Sequence, residues 1–255
     1  MAFTALEPSL DGTGGVSWIN AAIYPYIYTA KIIVTTLVIS LCFRYWLREF
    51  PFRFSKISYL AVVAGVVGVV LWVGVCKLGL ESRIFSLAGL ESAPISSGDE
   101  TSQDAPKIVG SGLTDEERAE INSFQKSSRS GFNPFQAFQN PAQAWTFFIL
   151  RMIGLALVVP LLEEFFLRGF LLRFIHSPDW TKVPMGAASP AVWITVLIYA
   201  VATHPGEAIA AMLWFSLITL LVYRTKNIWD AVFAHGITNF LLGIYVFHSG
   251  DWHFL

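Results

Sequence analysis

The sequence predicts an all-α fold, a polytopic membrane helix bundle of about six to eight transmembrane helices. Three observations predict it. Of 255 residues, 55% are hydrophobic and only 14% charged, against about 45–50% and about 25% in soluble domains. Several apolar runs reach the roughly 20 residues that a membrane span needs. Within those runs stand a few carboxylates, imidazoles and an arginine, where each charge costs about 2.5–3.5 kcal/mol and therefore needs a reason. The formal net charge of −1 excludes the basic footprint that nucleic-acid binding requires. Cys42 and Cys76 both fall in apolar runs and read as packed apolar residues rather than metal or disulfide partners.

Residues 1–25 form a polar, Gly-rich tail. Residues 26–80 hold two spans, Tyr26 to Trp46 and Tyr59 to Leu80, the first entered through Pro25 and a group of interfacial aromatics, with Lys31 near its start. Arg44, Arg48, Arg53 and Lys56 lie between these spans against one acid, Glu49. That excess marks a cytoplasmic connection and puts the N-terminus outside. Residues 81–140 turn polar and read as an extramembrane insertion, in which Thr114 and Glu117 have capping-box spacing for a short helix from Asp115 to about Lys126. Residues 141–255 hold the remaining runs: Ala142 to Phe174, Pro190 to Thr203, Ala208 to Tyr223 and Ile228 to Phe247. The first of these is too long for one straight crossing, and Pro160 is the expected break. Counted as one broken crossing, it closes the topology at six spans, with Arg224 and Lys226 inside. Trp252 is expected to anchor at the interface.

Three groups within residues 141–255 carry chemistry. Glu163 and Glu164 are adjacent acids in an apolar helix, and Arg168 lies four residues after Glu164, on its face. Glu163 points elsewhere, as a general base in an apolar site would. His204 ends the second run, just before Pro205 and Gly206. His235 and Asn239 share a face of the last run and can donate to a developing oxyanion. Taken singly, each group also fits an inert ion-pair cluster, interhelical glue or an interfacial histidine. Taken together, a carboxylate base, two imidazoles and an amide are what water attack on a peptide carbonyl needs. No Ser, Cys or Asp in the spans has an evident activating partner, which disfavours a covalent nucleophile. No cofactor is required, although two His and a Glu leave a zinc site open. The alternatives are a non-catalytic membrane scaffold or maturation partner that keeps the polar cluster as a structural network, and a small transporter using the same charges as an ion path.

Glu163-Glu164-x-x-x-Arg168, the later His204 and His235-x-x-x-Asn239 together resemble the motifs of the CPBP family. These are the type II CAAX prenyl endopeptidases and their bacterial, bacteriocin-processing or self-immunity (Abi-like) relatives. The resemblance runs from about Ala142 to Phe247 and is most specific at Glu163 to Leu171. It departs at the middle motif, where the family's Phe position is Ala200 and Tyr199 stands one residue earlier. The N-terminal spans and the insertion more weakly resemble CAAX-protease-related proteins found beside bacterial exosortase sorting systems, which implies a bacterial inner-membrane location and an exosortase-type partner. The family implies an all-helical core around a polar intramembrane cavity, and glutamate-dependent proteolysis of a membrane-associated protein or peptide. By position, Glu163 and His204 would activate water, His235 and Asn239 would stabilise the oxyanion, and Glu164 with Arg168 would hold the geometry.

Overall fold

The computed structural model describes residues 23–80 and 131–255, and every regular element within them is helical. Among the described residues, four of the six long helices start where the sequence supplies a capping side chain, two of them with proline behind it. Helix α1 (Tyr24–Glu49) carries Pro25 in its first turn. Helix α2 (Tyr59–Lys77) is capped by Ser58, whose hydroxyl accepts from the Leu60 amide. After a single helical turn, Pro134–Ala137, helix α3 (Pro141–His176) starts at Asn140 and Pro141. Helix α4 (Pro190–Thr203) starts at Ser189 and Pro190. Helix α5 (Ala208–Thr225) follows, and α6 (Ile228–Ser249) is capped by Asn227. The cap accepts one orphan N–H, and proline in the first turn removes another.

Five of these helices are long and apolar enough to cross a membrane. The sixth expected span, α4, has only 14 residues, about 21 Å against a hydrocarbon core of about 30 Å. It is short because the connection before it folds into the bundle. Gly186, at φ +70°, sits so close to α5 that a Cβ there would lie 2.6 Å from the Val222 carbonyl oxygen. Lys226 Nζ closes the turn on the Gly186 carbonyl at 3.0 Å. The expected short helix from Asp115 lies outside the described residues. Residues 131–140, the end of the expected insertion, pack on the bundle: Phe132 is buried against Tyr24 and Phe147. Trp252, expected at the interface, is likewise buried, against Phe135 and Phe148.

Helices α1, α3 and α5 run one way and α2, α4 and α6 return. At one end Arg173 Nη2 meets Glu49 at 3.1 Å and Asn227 Nδ2 meets the Lys56 carbonyl at 3.2 Å. Asp230, fully buried, there accepts from the Ser58 amide at 2.9 Å and so ties the start of α2 to the start of α6. This is the basic end. At the opposite end Lys77 meets Asp251 at 3.5 Å. The hydroxyl of Tyr245, donating at 2.6 Å, holds the Asp251 carboxyl below its ordinary range.

Large apolar side chains face outward, with Leu41 at 76% and Val70 at 67% exposure, as expected where lipid rather than water is the solvent. Inside, helices approach closely over small residues. Helix α2 lays Ala61, Ala64, Gly65 and Gly68 against α6, and a Cβ at Gly65 would lie 2.7 Å from Ile237 Cβ and 2.9 Å from the Ala234 carbonyl. The Thr238 hydroxyl joins this seam, 2.9 Å from the Gly65 carbonyl and 3.0 Å from that of Ala234. Because the obstacle includes backbone, Gly65→Ala is expected to cost about 1–3 kcal/mol. A lowered unfolding midpoint in detergent checks this, and an unchanged one contradicts it.

Candidate active site

Helix α3 is one continuous helix, and Pro160 does not break it. The irregularity takes the form of two π-helical turns, Gly154–Val158 and Phe165–Leu171. Proline has no N–H to offer the carbonyls one turn earlier. In the first π turn the Val159 amide reaches back to the Gly154 carbonyl. The Leu155 carbonyl therefore loses its usual α-helical donor, and the residue five ahead of it is Pro160. Asn239 supplies the missing partner, with Nδ2 2.9 Å from the Leu155 oxygen. Gly236, one turn earlier on α6, lets the two helices approach: a Cβ there would lie 2.6 Å from the Ala156 oxygen. One of the two amide hydrogens of Asn239 is thus committed to structure, and the second is left for the cavity.

This pairing has a separable consequence. Asn239→Ala leaves a buried carbonyl without a donor, at an expected cost of about 1–3 kcal/mol. Adding Pro160→Ala restores an N–H to the helix and should recover much of that stability without restoring any function of the amide. Thermal unfolding of both variants tests this, and no recovery in the double variant would refute the account.

Glu164 and Arg168 pair across one turn of α3 at 2.5 Å, both essentially without solvent exposure. Arg168 Nη2 also donates to the Phe215 carbonyl at 3.0 Å and lies 3.4 Å from Thr219 Oγ1, which fixes α3 to α5. The second oxygen of Glu164 accepts from His235 Nδ1 at 2.9 Å. An ionised carboxylate only accepts, so Nδ1 carries the hydrogen and Nε2 is the ring nitrogen left for chemistry. Trp214 packs edge-on to the imidazole at 4.5 Å and donates its indole N–H to Thr238 at 3.3 Å.

Glu163, His204, His235 and Asn239 all line one cavity of about 350 Å³, while Glu164 and Arg168 lie behind its wall. Glu163 makes no hydrogen bond with another described residue. His204 caps the end of α4, with Nδ1 2.9 Å from Thr203 Oγ1 and its ring against Trp72 and Phe215. Tyr199 lines the cavity where the family has its Phe one residue later, and Ala200 is buried in the core. A larger groove of about 840 Å³ between α1, α3 and α6 is lined by Phe43, Leu47, Trp229, Phe233 and other apolar residues. It carries no titratable acid or base and is separate from this chemistry.

Sequence reasoning misses Arg151, which is 2% exposed, lines the same cavity and donates to the Phe132 carbonyl at 3.1 Å beneath Tyr24 and Tyr28. A signal for it exists, since an arginine inside an apolar run is a functional flag. Among the described residues no three of His, Cys, Asp and Glu converge as metal ligands.

An all-helical bundle in which five helices are long and apolar enough to cross a membrane defines a class, that of integral membrane proteins. Comparison adds a similarity: residues 145–241, fewer than half of the chain, match the family described as Rce1-like, type II CAAX prenyl endopeptidase. The matched stretch contains Glu163, Glu164, Arg168, His204, His235 and Asn239. No curated protein and no solved structure matches the chain.

Proposed function

We propose that this protein is an intramembrane endopeptidase that hydrolyses a peptide bond of a membrane-associated protein or peptide by direct attack of water. The observation that carries the reading is the gathering of Glu163, His204, His235 and Asn239 around one cavity, with His235 oriented from behind by the Glu164–Arg168 pair.

In this reading Glu163 takes a proton from water, helped by His204, and the oxygen attacks the carbonyl carbon. The carbonyl π electrons move to oxygen, where the second N–H of Asn239 and Nε2–H of protonated His235 receive the developing charge. Glu164 balances the imidazolium through Nδ1. Collapse breaks the C–N bond, and Glu163 returns the proton to the leaving nitrogen. The step is balanced by water alone. No metal is assigned a part, because the described donors do not form a ligand set, and cleavage is expected to survive chelators.

The test uses the full chain in nanodiscs with co-expressed membrane proteins, in water enriched in ¹⁸O. Mass spectrometry should find new termini carrying one ¹⁸O atom per carboxylate, and no acyl adduct on the protein during turnover. Failure to release any fragment across a broad substrate set would sink the protease reading, and an acyl adduct would sink direct water attack.

A further inference from the structure

Among the described residues, the cavity is closed toward the basic end of the bundle and leads toward the opposite end. Toward the basic end lie fully buried Leu167 and Glu164, with Arg168 bonded to the Phe215 carbonyl. In the other direction the wall is made by Lys31, early in α1, by Glu207 at the turn into α5, and by Phe254 and Leu255 beyond α6. Lys31, His204 and Glu207 are partly exposed, whereas Glu164, Leu167 and Arg168 are not.

Charge fixes which end faces the cytoplasm. The basic end collects Arg44, Arg48, Arg53, Lys56, Arg173, Lys182, Arg224 and Lys226, eight of the chain's 17 Lys and Arg, against Glu49, Asp179 and Asp230. They stand in connections of only a few residues or within the last turns of helices, the setting in which basic residues determine orientation. The described residues that flank 81–130 lie at the opposite end, and the nine acids against five bases of that segment do not oppose the orientation, since long segments translocate largely regardless of charge.

We infer that the catalytic cavity opens on the extracytoplasmic face, so that the substrates are exported, membrane-anchored polypeptides whose scissile segment lies on the outer side of the bilayer. This rests on the proposed protease function for its substrate class, but not for its geometry. A cytoplasmic peptide tail would meet the basic end, where the bundle is sealed.

Accessibility separates the two. In a Cys42→Ser, Cys76→Ala background, Glu207→Cys reports the mouth of the cavity, Asn239→Cys its catalytic level, and Arg53→Cys the basic end. Right-side-out and inverted membrane vesicles are treated with a charged, membrane-impermeant methanethiosulfonate. Modification of Glu207→Cys and Asn239→Cys in right-side-out vesicles, with Arg53→Cys modified only in inverted ones, is the expected result. Modification of Asn239→Cys only from the inverted side, or of Glu207→Cys from neither side, overturns the inference. If the amide change at Asn239 prevents folding, Glu207→Cys against Arg53→Cys still decides the orientation. Because labelling needs no turnover, loss of the protease reading in the ¹⁸O experiment leaves this result standing, and the reverse holds as well.

Discussion

Glu163→Gln is expected to lower cleavage by roughly 10²–10⁴-fold, the range that a positioned general base contributes, while leaving the fold nearly as stable as the parent. The change keeps the shape of the side chain and removes only its ability to accept a proton from water. Stability should hold because Glu163 makes no hydrogen bond with another described residue and lines open cavity, so nothing buried loses a partner. Turnover and thermal unfolding measured on the same preparation check both halves. A scaffold that retains the acid for structure predicts the reverse pattern, a loss of stability with no activity to lose. Full activity in Glu163→Gln would remove Glu163 from the role of base.

Much of this arrangement is legible in the amino-acid sequence, for reasons that are local. The helix starts at residues 58, 140, 189 and 227 follow from a Ser or Asn followed by an apolar run. The Glu164–Arg168 pair follows from a spacing of four, and the shared face of His235 and Asn239 from the same rule. What local spacing does not carry is which helices meet. Glu164 binds His235 across 71 residues of sequence, whereas spacing rules assign Glu164 to Arg168 alone. Asn239 reads from its position as an oxyanion donor, yet one of its hydrogens answers a vacancy created by Pro160. That vacancy is inferable by asking where the carbonyls preceding a helical proline find donors, but the choice of Asn239 to fill it is not. The shortness of α4 is hidden for a similar reason. Its hydropathy reads as a span, and only the contact of Gly186 with Val222 shows that the chain has turned inward before the helix begins.

The second large effect is expected at Arg168. Arg168→Met should destabilise the protein by about 3–5 kcal/mol, because it leaves the Glu164 carboxylate buried with its charge uncompensated. The Phe215 carbonyl also loses the donor that joins α3 to α5. Adding Glu164→Gln removes the orphan charge, and most of the lost stability should return, since exchanging both members of a buried pair for neutral groups is often close to neutral. Activity should not return with it. A glutamine oxygen can still accept from His235 Nδ1 and keep the ring in place, but it no longer balances an imidazolium, so the stabilisation of the oxyanion through Nε2 is weakened. The double variant should therefore be folded and slow, with the defect in kcat rather than KM, because the lost interaction is made only as charge develops. Recovery of both stability and turnover would show that the pair serves packing alone. Recovery of neither would show that Arg168 is needed chiefly for its contact with α5, and the restoring partner would then have to be sought at Phe215 and Thr219.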